Sequence, residues 1–216
     1  MSEISTTASQ PATFVVAAFD FDGTLTRRDT LLPFLRRSLG LRCFVWALLR
    51  SSPWLLAYAL RLMSNHRAKA RLLKVSLAGK RYDKIEHDTK DFVQDYLPTQ
   101  WQAWALQQLV LHQKAGHRCV IVSASPGVYL HAVAASLGVD AVVCTEMEVV
   151  DGRYSGRMAT PNCHGEEKVR RLQAWIATAF DGAAPQLHAY GDTRGDLPML
   201  RLAQHAWYRE KPWSSR

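Results

Sequence analysis

The sequence has no long uncharged hydrophobic run. Its most apolar stretch, residues 41–63, is interrupted by arginines, and the uncharged run between Arg50 and Arg61 is only ten residues long. A membrane-spanning helix needs about 20 apolar residues. The pattern therefore excludes a simple spanning helix and leaves two interpretations. Residues 41–63 are either a helical pair packed inside a cap, or a cationic apolar surface that rests on a bilayer or accepts acyl chains.

Cysteine is scarce and irregularly spaced. The four cysteines, at positions 43, 119, 144 and 163, form no C-x-x-C pair, so the sequence implies neither a disulfide framework nor a zinc site. Residues 1–12 also lack the basic start and apolar core of a secretory signal. We therefore expect a cytoplasmic protein, peripheral at the inner face of the membrane if residues 41–63 touch lipid, with residues 1–11 as a flexible tail.

Motifs for nucleic-acid binding are absent as well. The net charge of +8, from 27 basic and 19 acidic residues, favours anionic partners in general. No basic-aromatic stripe accompanies that charge, so we expect no nucleic-acid partner. A length of 216 residues with 48% hydrophobic and 21% charged residues is typical of a globular protein with one core and a smaller second lobe. The oligomeric state is left open.

An apolar run from Phe14 to Phe19 ends abruptly in two acidic residues, Asp20 and Asp22, which Gly23 and Thr24 follow. The run is short and rich in Val and Phe, which predicts a strand buried on both faces of a parallel sheet. Ligands of open α/β sheets bind outside the carboxyl ends of the strands. The two acids therefore predict a cation site, although an ordinary Asp-Gly turn is the alternative.

Residues 29–116 have amphipathic helical texture and no strand-like alternation. We expect several short helices there, with Asp29 or Thr30 capping the first, Gly40 interrupting it and Pro53 beginning another. The strand signal returns at residues 118–123 and ends at Ser123, which Ala124 and Ser125 follow. With Ser125 as cap and Pro126 at the first helical position, the next helix would begin as an anion-binding terminus, or as a plain connection.

Two further features lie near the C-terminus. Lys168 lies near the start of a predicted helix, where a lysine is most often simply solvated. A predicted strand over residues 187–190 ends in Asp192 and Asp196, whose spacing places both on one side of the turn into a helix. If the sheet is parallel, all these groups meet at one rim. Four carboxylates there would make an oxygen site suited to Mg²⁺ and phosphoryl transfer.

At these motifs the sequence resembles the haloacid dehalogenase superfamily, in particular its phosphoserine-phosphatase-like branch. The resemblance implies Asp20 as a nucleophile that forms an aspartyl-phosphate, and Asp22 as general acid and then general base. It also implies Ser123 as the hydroxyl that holds the phosphoryl group and Lys168 as the lysine of the family's third motif. The metal would be Mg²⁺, bound by Asp20, the backbone carbonyl of Asp22, and Asp192. The supporting or substrate-binding positions would be Gly23, Thr24, Asp29, Ala124, Ser125 and Asp196.

The second acid separates classes within the superfamily, because Asp22 is typical of its phosphatases and phosphomutases. Gly195 departs from phosphoserine phosphatases, whose fourth motif usually carries Asn at that position. The segments around Cys163, Asp192 and Gln204 are similar to the phosphatidylglycerophosphatase C group. The resemblance therefore implies a lipid phosphate as substrate, with phosphoserine or another small metabolite as the alternative. Asp29 has two interpretations, a substrate-binding acid or a helix cap.

The sequence thus predicts an α/β fold, a doubly wound parallel sheet with a helical cap inserted after the first strand. Residues 12–28 and 117–216 would form the core, and residues 29–116 the cap. The function expected is Mg²⁺-dependent hydrolysis of a phosphomonoester, so the partner would be a phosphorylated small molecule or a lipid. A hypothesis of another class is a phosphate- or membrane-surface-binding module without turnover.

Overall fold

The computed structural model describes residues 14–214; the predicted tail and the first two and last two residues of the predicted core lie outside this range. The strands follow the order β1 to β8 along the chain: Val15–Phe19, Arg118–Pro126, Ala141–Thr145, Met147–Val150, Arg153–Met158, Gln186–Gly191, His205–Tyr208 and Lys211–Trp213. The helices are α1 to α7: Leu31–Ala59, Asn65–Leu77, Tyr82–Asp91, Ala103–Lys114, Gly127–Leu137, Glu166–Ala179 and Leu197–Leu202.

Six strands form one sheet in the order β3-β2-β1-β6-β7-β8. All neighbours are parallel except β7 and β8, which form an antiparallel hairpin at the edge. Helices α4 and α5 pack on one face of the sheet, and α6 and α7 pack on the other. The prediction of a doubly wound, mostly parallel α/β fold is therefore confirmed.

The central strand β1 is buried on both faces, as its apolar run predicts. Ala17 and Phe19 belong to the core on the α4–α5 side, and Val16 and Ala18 to the core on the α6–α7 side. All four side chains are completely buried. Because β1 lies between β2 and β6, the residues that follow these three strands emerge at the same edge of the sheet.

Helices α1 to α4 lie between β1 and β2 in the chain; the last of them, α4, packs on the sheet although it falls within the predicted cap range of 29–116. Gly40 kinks α1 with a φ of 72°, which glycine adopts without strain. The prediction that Pro53 begins a new helix is wrong, because α1 continues through it to Ala59. Pro53 has no N–H to donate to the carbonyl of Leu49, and the Ser52 hydroxyl donates to that oxygen instead at 2.7 Å.

The start of α5 also differs from the prediction. Strand β2 extends to Pro126, which is the N-cap with an extended φ and ψ, and the helix begins at Gly127. Ser125 therefore does not cap α5. Its hydroxyl is used by the site described below.

Strands β4 and β5 form an antiparallel hairpin, and its turn residues Asp151 and Gly152 both have positive φ, as two-residue hairpin turns require. Strand β5 packs against α2, so the hairpin supports the helices inserted after β1. Within residues 14–214, no helix combines the length and the apolar character needed to cross a bilayer.

Candidate active site

Two parallel strands and one helix bring the predicted acids and lysine together. Asp20 follows β1 and Asp192 follows β6, the strand paired with β1. Lys168, in the first turn of α6, donates to Asp20 Oδ1 at 2.6 Å and to Asp196 Oδ1 at 2.5 Å. Asp20 is 5% exposed, Lys168 2% and Asp196 1%. Lys168 is therefore not solvated, as a lysine near a helix start most often is, but is the centre of two buried ion pairs.

Burial sets the electrostatics of this cluster. It raises the pKa of Asp20 to about 8, against the opposing effect of the Lys168 ammonium. Burial and the Asp196 carboxylate also raise the pKa of Asp192. Burial alone would lower the pKa of Lys168, but Asp20 and Asp196 more than offset it and raise that pKa. More negative charge is gathered here than one lysine neutralises, which is an arrangement that favours a bound cation.

Three of the carboxylates are close enough to share a metal ion. Oxygens of Asp20, Asp192 and Asp196 lie within 4.8 Å of one another. Thr24 Oγ1 donates to Asp192 Oδ1 at 3.2 Å, and a Cβ at Gly23 would overlap that carboxylate. An all-oxygen donor set of this size fits Mg²⁺. The side chain of Asp22 is not part of this cluster, so only its backbone is left for the predicted ligand role.

The Asp22 carboxylate is held on its other side. Its Oδ1 accepts hydrogen bonds from the backbone N–H and the hydroxyl of Thr30, at 2.8 and 2.7 Å. Its Oδ2 accepts from the hydroxyl of Ser125, which explains why that hydroxyl does not cap α5. Burial, with a contribution from Asp29, raises the pKa of Asp22 to about 6. A carboxyl group with that pKa exchanges a proton readily near neutral pH.

Near the end of β2 the pairing with β3 is irregular between Val122 and Pro126, and the loop of Ser123, Ala124 and Ser125 formed there is fixed from two directions. The Ser123 hydroxyl, 2% exposed, accepts the backbone N–H of Ser125 at 3.1 Å. The carbonyl of Ala124 accepts from Thr145 Oγ1 at 2.9 Å and from Lys69 Nζ at 2.8 Å. The loop is thus held rigidly beside Asp22.

Lys69 is a site residue that the sequence interpretation missed. It lies on α2, and burial lowers its pKa although the carboxylates of Asp22, Asp29 and Asp20 act in the opposite direction. A signal was present in the sequence: Lys69 precedes Leu72, Leu73, Ser76 and Leu77 at the spacing of one helix face, and all four are buried. A lysine on the inward face of a helix needs an anionic partner.

Two other predicted features have local explanations. The carboxylate of Asp29 accepts the backbone N–H of Leu31 at 3.0 Å, so it stabilises the start of α1. The N-cap of this helix is Thr30, however, so Asp29 is not the cap itself. Gly195, the departure from the phosphoserine phosphatase pattern, faces His164, whose ring occupies the space of a Cβ at that position. A histidine therefore fills the space that a side chain at position 195 would otherwise occupy.

A cavity of about 280 Å³ lies beside Asp192. Its lining includes Gly23, Thr24, Gly191 and Arg209. Arg209 Nε donates to the backbone carbonyl of Asp192 at 2.9 Å. Of the three clustered carboxylates, Asp192 is therefore the one that lines this cavity.

A second group of metal-binding residue types lies outside this site. His131, Cys144 and Glu146 have ligand atoms within 4.8 Å of one another, although the sequence implied no metal site at any cysteine. The Cys144 thiol and His131 Nε2 both bond Glu146 Oε1, at 3.1 and 3.0 Å. These hydrogen bonds satisfy the group without an ion.

Comparison with known proteins places this geometry in a family. A family model described as haloacid dehalogenase-like hydrolase matches residues 17–201. Protein CicA of Caulobacter vibrioides is 33% identical over 204 residues, which are 90% of this chain and 86% of that protein. A probable phosphatase of Mycobacterium tuberculosis is 29% identical over 91% of this chain and 69% of its own.

A solved structure shares the fold. The crystal structure of a Bordetella pertussis protein of unknown function superposes with a TM-score of 0.78 at 26% identity, over 90% of this chain and 89% of that chain. None of these names concerns lipid, so the resemblance to the phosphatidylglycerophosphatase C group stays a prediction.

Proposed function

The chain belongs to the haloacid dehalogenase-like hydrolase family, and from that membership we propose that it is a Mg²⁺-dependent phosphomonoester hydrolase. The observation that carries the proposal is the buried position of Asp20, between Lys168 and the carboxylates of Asp192 and Asp196. Binding of phosphate alone would not need a nucleophile and a proton donor on neighbouring residues. Asp20 and Asp22 supply both.

In the proposed reaction, an oxygen of Asp20 attacks phosphorus and the bond to the leaving alkoxide breaks. Lys168 binds Oδ1, so Oδ2, which no hydrogen bond reaches within residues 14–214, is the attacking oxygen. Asp22 donates its proton to the departing oxygen. It then takes a proton from the water that attacks the aspartyl-phosphate, which releases inorganic phosphate and regenerates Asp20.

The remaining groups position the phosphoryl oxygens. Ser123 and the N–H groups of its loop donate to them, and the ammonium of Lys168 offsets their charge. Mg²⁺, held by Asp20, Asp192 and the backbone of Asp22 with Asp196 nearby, would neutralise the charge that accumulates on the transferred group. The 2.5 Å ion pair with Asp196 keeps Lys168 in place through both steps.

Hydrolysis of p-nitrophenyl phosphate tests this proposal. We expect Mg²⁺-dependent turnover by the wild type and a loss of at least about a thousandfold in Asp20→Asn, because the amide is not a nucleophile. Asp192→Asn should raise the Mg²⁺ concentration needed for half-maximal rate. Binding of phosphate without turnover by the wild type, at any Mg²⁺ concentration, would favour the non-catalytic module instead.

A lipid phosphate is the second candidate for the substrate, and a specific groove favours it. A groove of about 610 Å³ lies along the start of α1, one turn after the Thr30 that binds Asp22. Its lining includes the apolar Leu41 and Phe44 together with Arg36 and Arg37. These surfaces suit an acyl chain next to an anionic head group.

Substrate competition separates the candidates. Hydrolysis of phosphoserine, sugar phosphates and phosphatidylglycerophosphate in detergent would be compared at equal concentration, with Leu32→Gln as a variant of the groove. A lipid substrate predicts a higher kcat/KM for the phospholipid and a selective loss in Leu32→Gln. Equal effects of this substitution on all substrates would assign the enzyme to soluble metabolites.

A further inference from the structure

The second half of α1 presents apolar side chains to solvent in a continuous stripe. Its members are spaced four or seven residues apart, so they share one side of the helix, the last of them at its C-cap. We call them the exposed stripe: Leu41, Val45, Leu49, Leu56 and Leu60, with exposed fractions of 62, 44, 68, 60 and 61%. At 1.5 Å per residue the stripe extends over about 28 Å. Trp46 and Leu62, 57% and 79% exposed, enlarge the apolar surface around it.

The charge around the exposed stripe has one sign. Residues 30–82 contain 11 lysines and arginines and no aspartate or glutamate, whereas acids outnumber bases in the rest of the chain. The net charge of +8 therefore comes entirely from this segment. Arg42 and Arg50 lie beside the stripe, and the Arg50 guanidinium packs over the ring of Trp46 at 5.7 Å. Arginine heads next to exposed leucine and tryptophan are typical of helices that lie in a membrane interface.

We propose that the exposed stripe docks this protein on an anionic lipid bilayer, with α1 lying parallel to the membrane surface. An apolar surface of this length is unusual on a soluble monomer unless something covers it. A second copy of the chain fits less well, because a symmetric pairing would bring the arginines of both copies together without compensating acids. Anionic head groups match these arginines, while the acyl region accepts the leucines. This docking on a bilayer is independent of the proposed phosphatase activity.

Vesicle flotation of the full chain tests the proposal. We expect the wild type to float with vesicles of phosphatidylcholine and phosphatidylglycerol, to float far less with phosphatidylcholine alone, and to dissociate as salt is raised. Asp20→Asn, which removes hydrolysis, should float like the wild type. Failure of docking and failure of the proposed phosphatase are therefore separate results.

Paired variants show which surface is used. Leu49→Gln with Leu56→Gln should weaken vesicle binding by at least about tenfold, because two exposed leucines no longer enter the bilayer. Leu111→Gln with Val150→Gln, which alters side chains 52% and 51% exposed elsewhere, should leave binding unchanged. Arg42→Gln with Arg50→Gln should lose roughly tenfold or more, whereas Arg201→Gln with Lys211→Gln, an equal change of charge at other exposed positions, should have little effect.

Two outcomes would overturn the proposal. One is equal flotation of the Leu49/Leu56 variant and the wild type. The other is a wild type that does not float and sediments as a dimer, with the same two substitutions producing the monomer. That second result would assign the stripe to contact between copies of the chain. Thermal unfolding of each variant shows that the fold is retained.

Discussion

Two lysines from different elements act on the candidate site. Lys168 from α6 pairs with Asp20 and Asp196, while Lys69 from α2 reaches the loop carbonyl of Ala124. Lys69 also lowers the pKa of Asp22 through its charge. We therefore assign Lys69 a positioning role: it connects a helix inserted after β1 to the loop that holds Asp22.

This role gives a prediction for Lys69→Met. The side chain keeps its length but loses its charge and its hydrogen bond, so we expect kcat/KM to fall by about ten- to a hundredfold. Because the cation that lowers the pKa of Asp22 is gone, the limb of the pH–rate profile that reports Asp22 should move to higher pH. Steady-state kinetics at saturating Mg²⁺ measure both effects.

Lys74→Met, a change at an exposed position of the same helix, is the control and should leave the pH profile in place. Lys69→Arg should recover part of the lost rate. If Lys69→Met keeps the pH–rate profile of the wild type and loses only stability, Lys69 has a merely structural role.

At the residue scale, the sequence predicted the site residues that lie at the end of a strand or near the start of a helix. Asp20, Asp192 and Lys168 are of this kind, since each directly follows a strand or begins a helix. Ser125 was predicted as a helix cap, but its hydroxyl bonds Asp22, 103 residues earlier in the chain. Local pattern contains no information about such a contact, because it depends on the pairing of β1 with β2.

The strands were more predictable than the helices, for a physical reason. Each core strand is an apolar run closed by a turn or by polar residues, and burial on both faces leaves few alternatives. The course of α1 through Pro53 depends instead on a replacement donor, the Ser52 hydroxyl. Packing of the β4–β5 hairpin on α2 joins elements about 80 residues apart in the chain and was not predicted.

That hairpin contact depends on one glycine. Gly156 has a φ of 81°, and a Cβ there would meet the Cα and carbonyl oxygen of Lys74 at 3.1 Å and the Cβ of Ala78 at 2.9 Å. We predict that Gly156→Ala lowers the free energy of unfolding by about 2–3 kcal/mol, because the backbone of α2 must move and the φ is strained. Urea unfolding measures the change.

Gly152→Ala is the matched control for this element. Gly152 also has a positive φ, of 69°, but nothing lies within 4 Å of its missing Cβ. This variant should therefore lose only about 1 kcal/mol, from backbone strain alone. Equal losses at the two positions would show that the contact between β5 and α2 contributes little.

Across the whole molecule, charge is divided between two regions. The segment from residue 30 to 82 is basic and has no acids, while carboxylates collect at the carboxyl edge of the sheet. The basic segment reaches that edge through Lys69. A phosphorylated ligand would therefore meet positive charge on the side of the inserted helices and a metal-binding set of oxygens on the side of the sheet.

The crowded carboxylates make the stability of the metal-free protein depend on pH in a particular direction. Burial raises the pKa of Asp20 from 3.8 to about 8, so the folded state holds this proton more tightly than the unfolded chain does. The resulting stabilisation is complete below the unfolded value and is lost as the pH rises through the folded one. The affected window lies between about pH 4 and about pH 8.

We therefore predict that chelated wild type loses free energy of unfolding across this window relative to Asp20→Asn, by about 1 kcal/mol per pH unit. The slopes of the two pH curves are compared, and not the absolute free energies of unfolding, because Asp20→Asn also loses the ion pair with Lys168. Mg²⁺ should stabilise the wild type more at the upper end of the window, because fewer protons compete with the metal ion for the carboxylates there. Urea unfolding in chelator and in Mg²⁺ measures both quantities, and parallel pH curves for the two proteins would contradict the assignment of the raised pKa to Asp20.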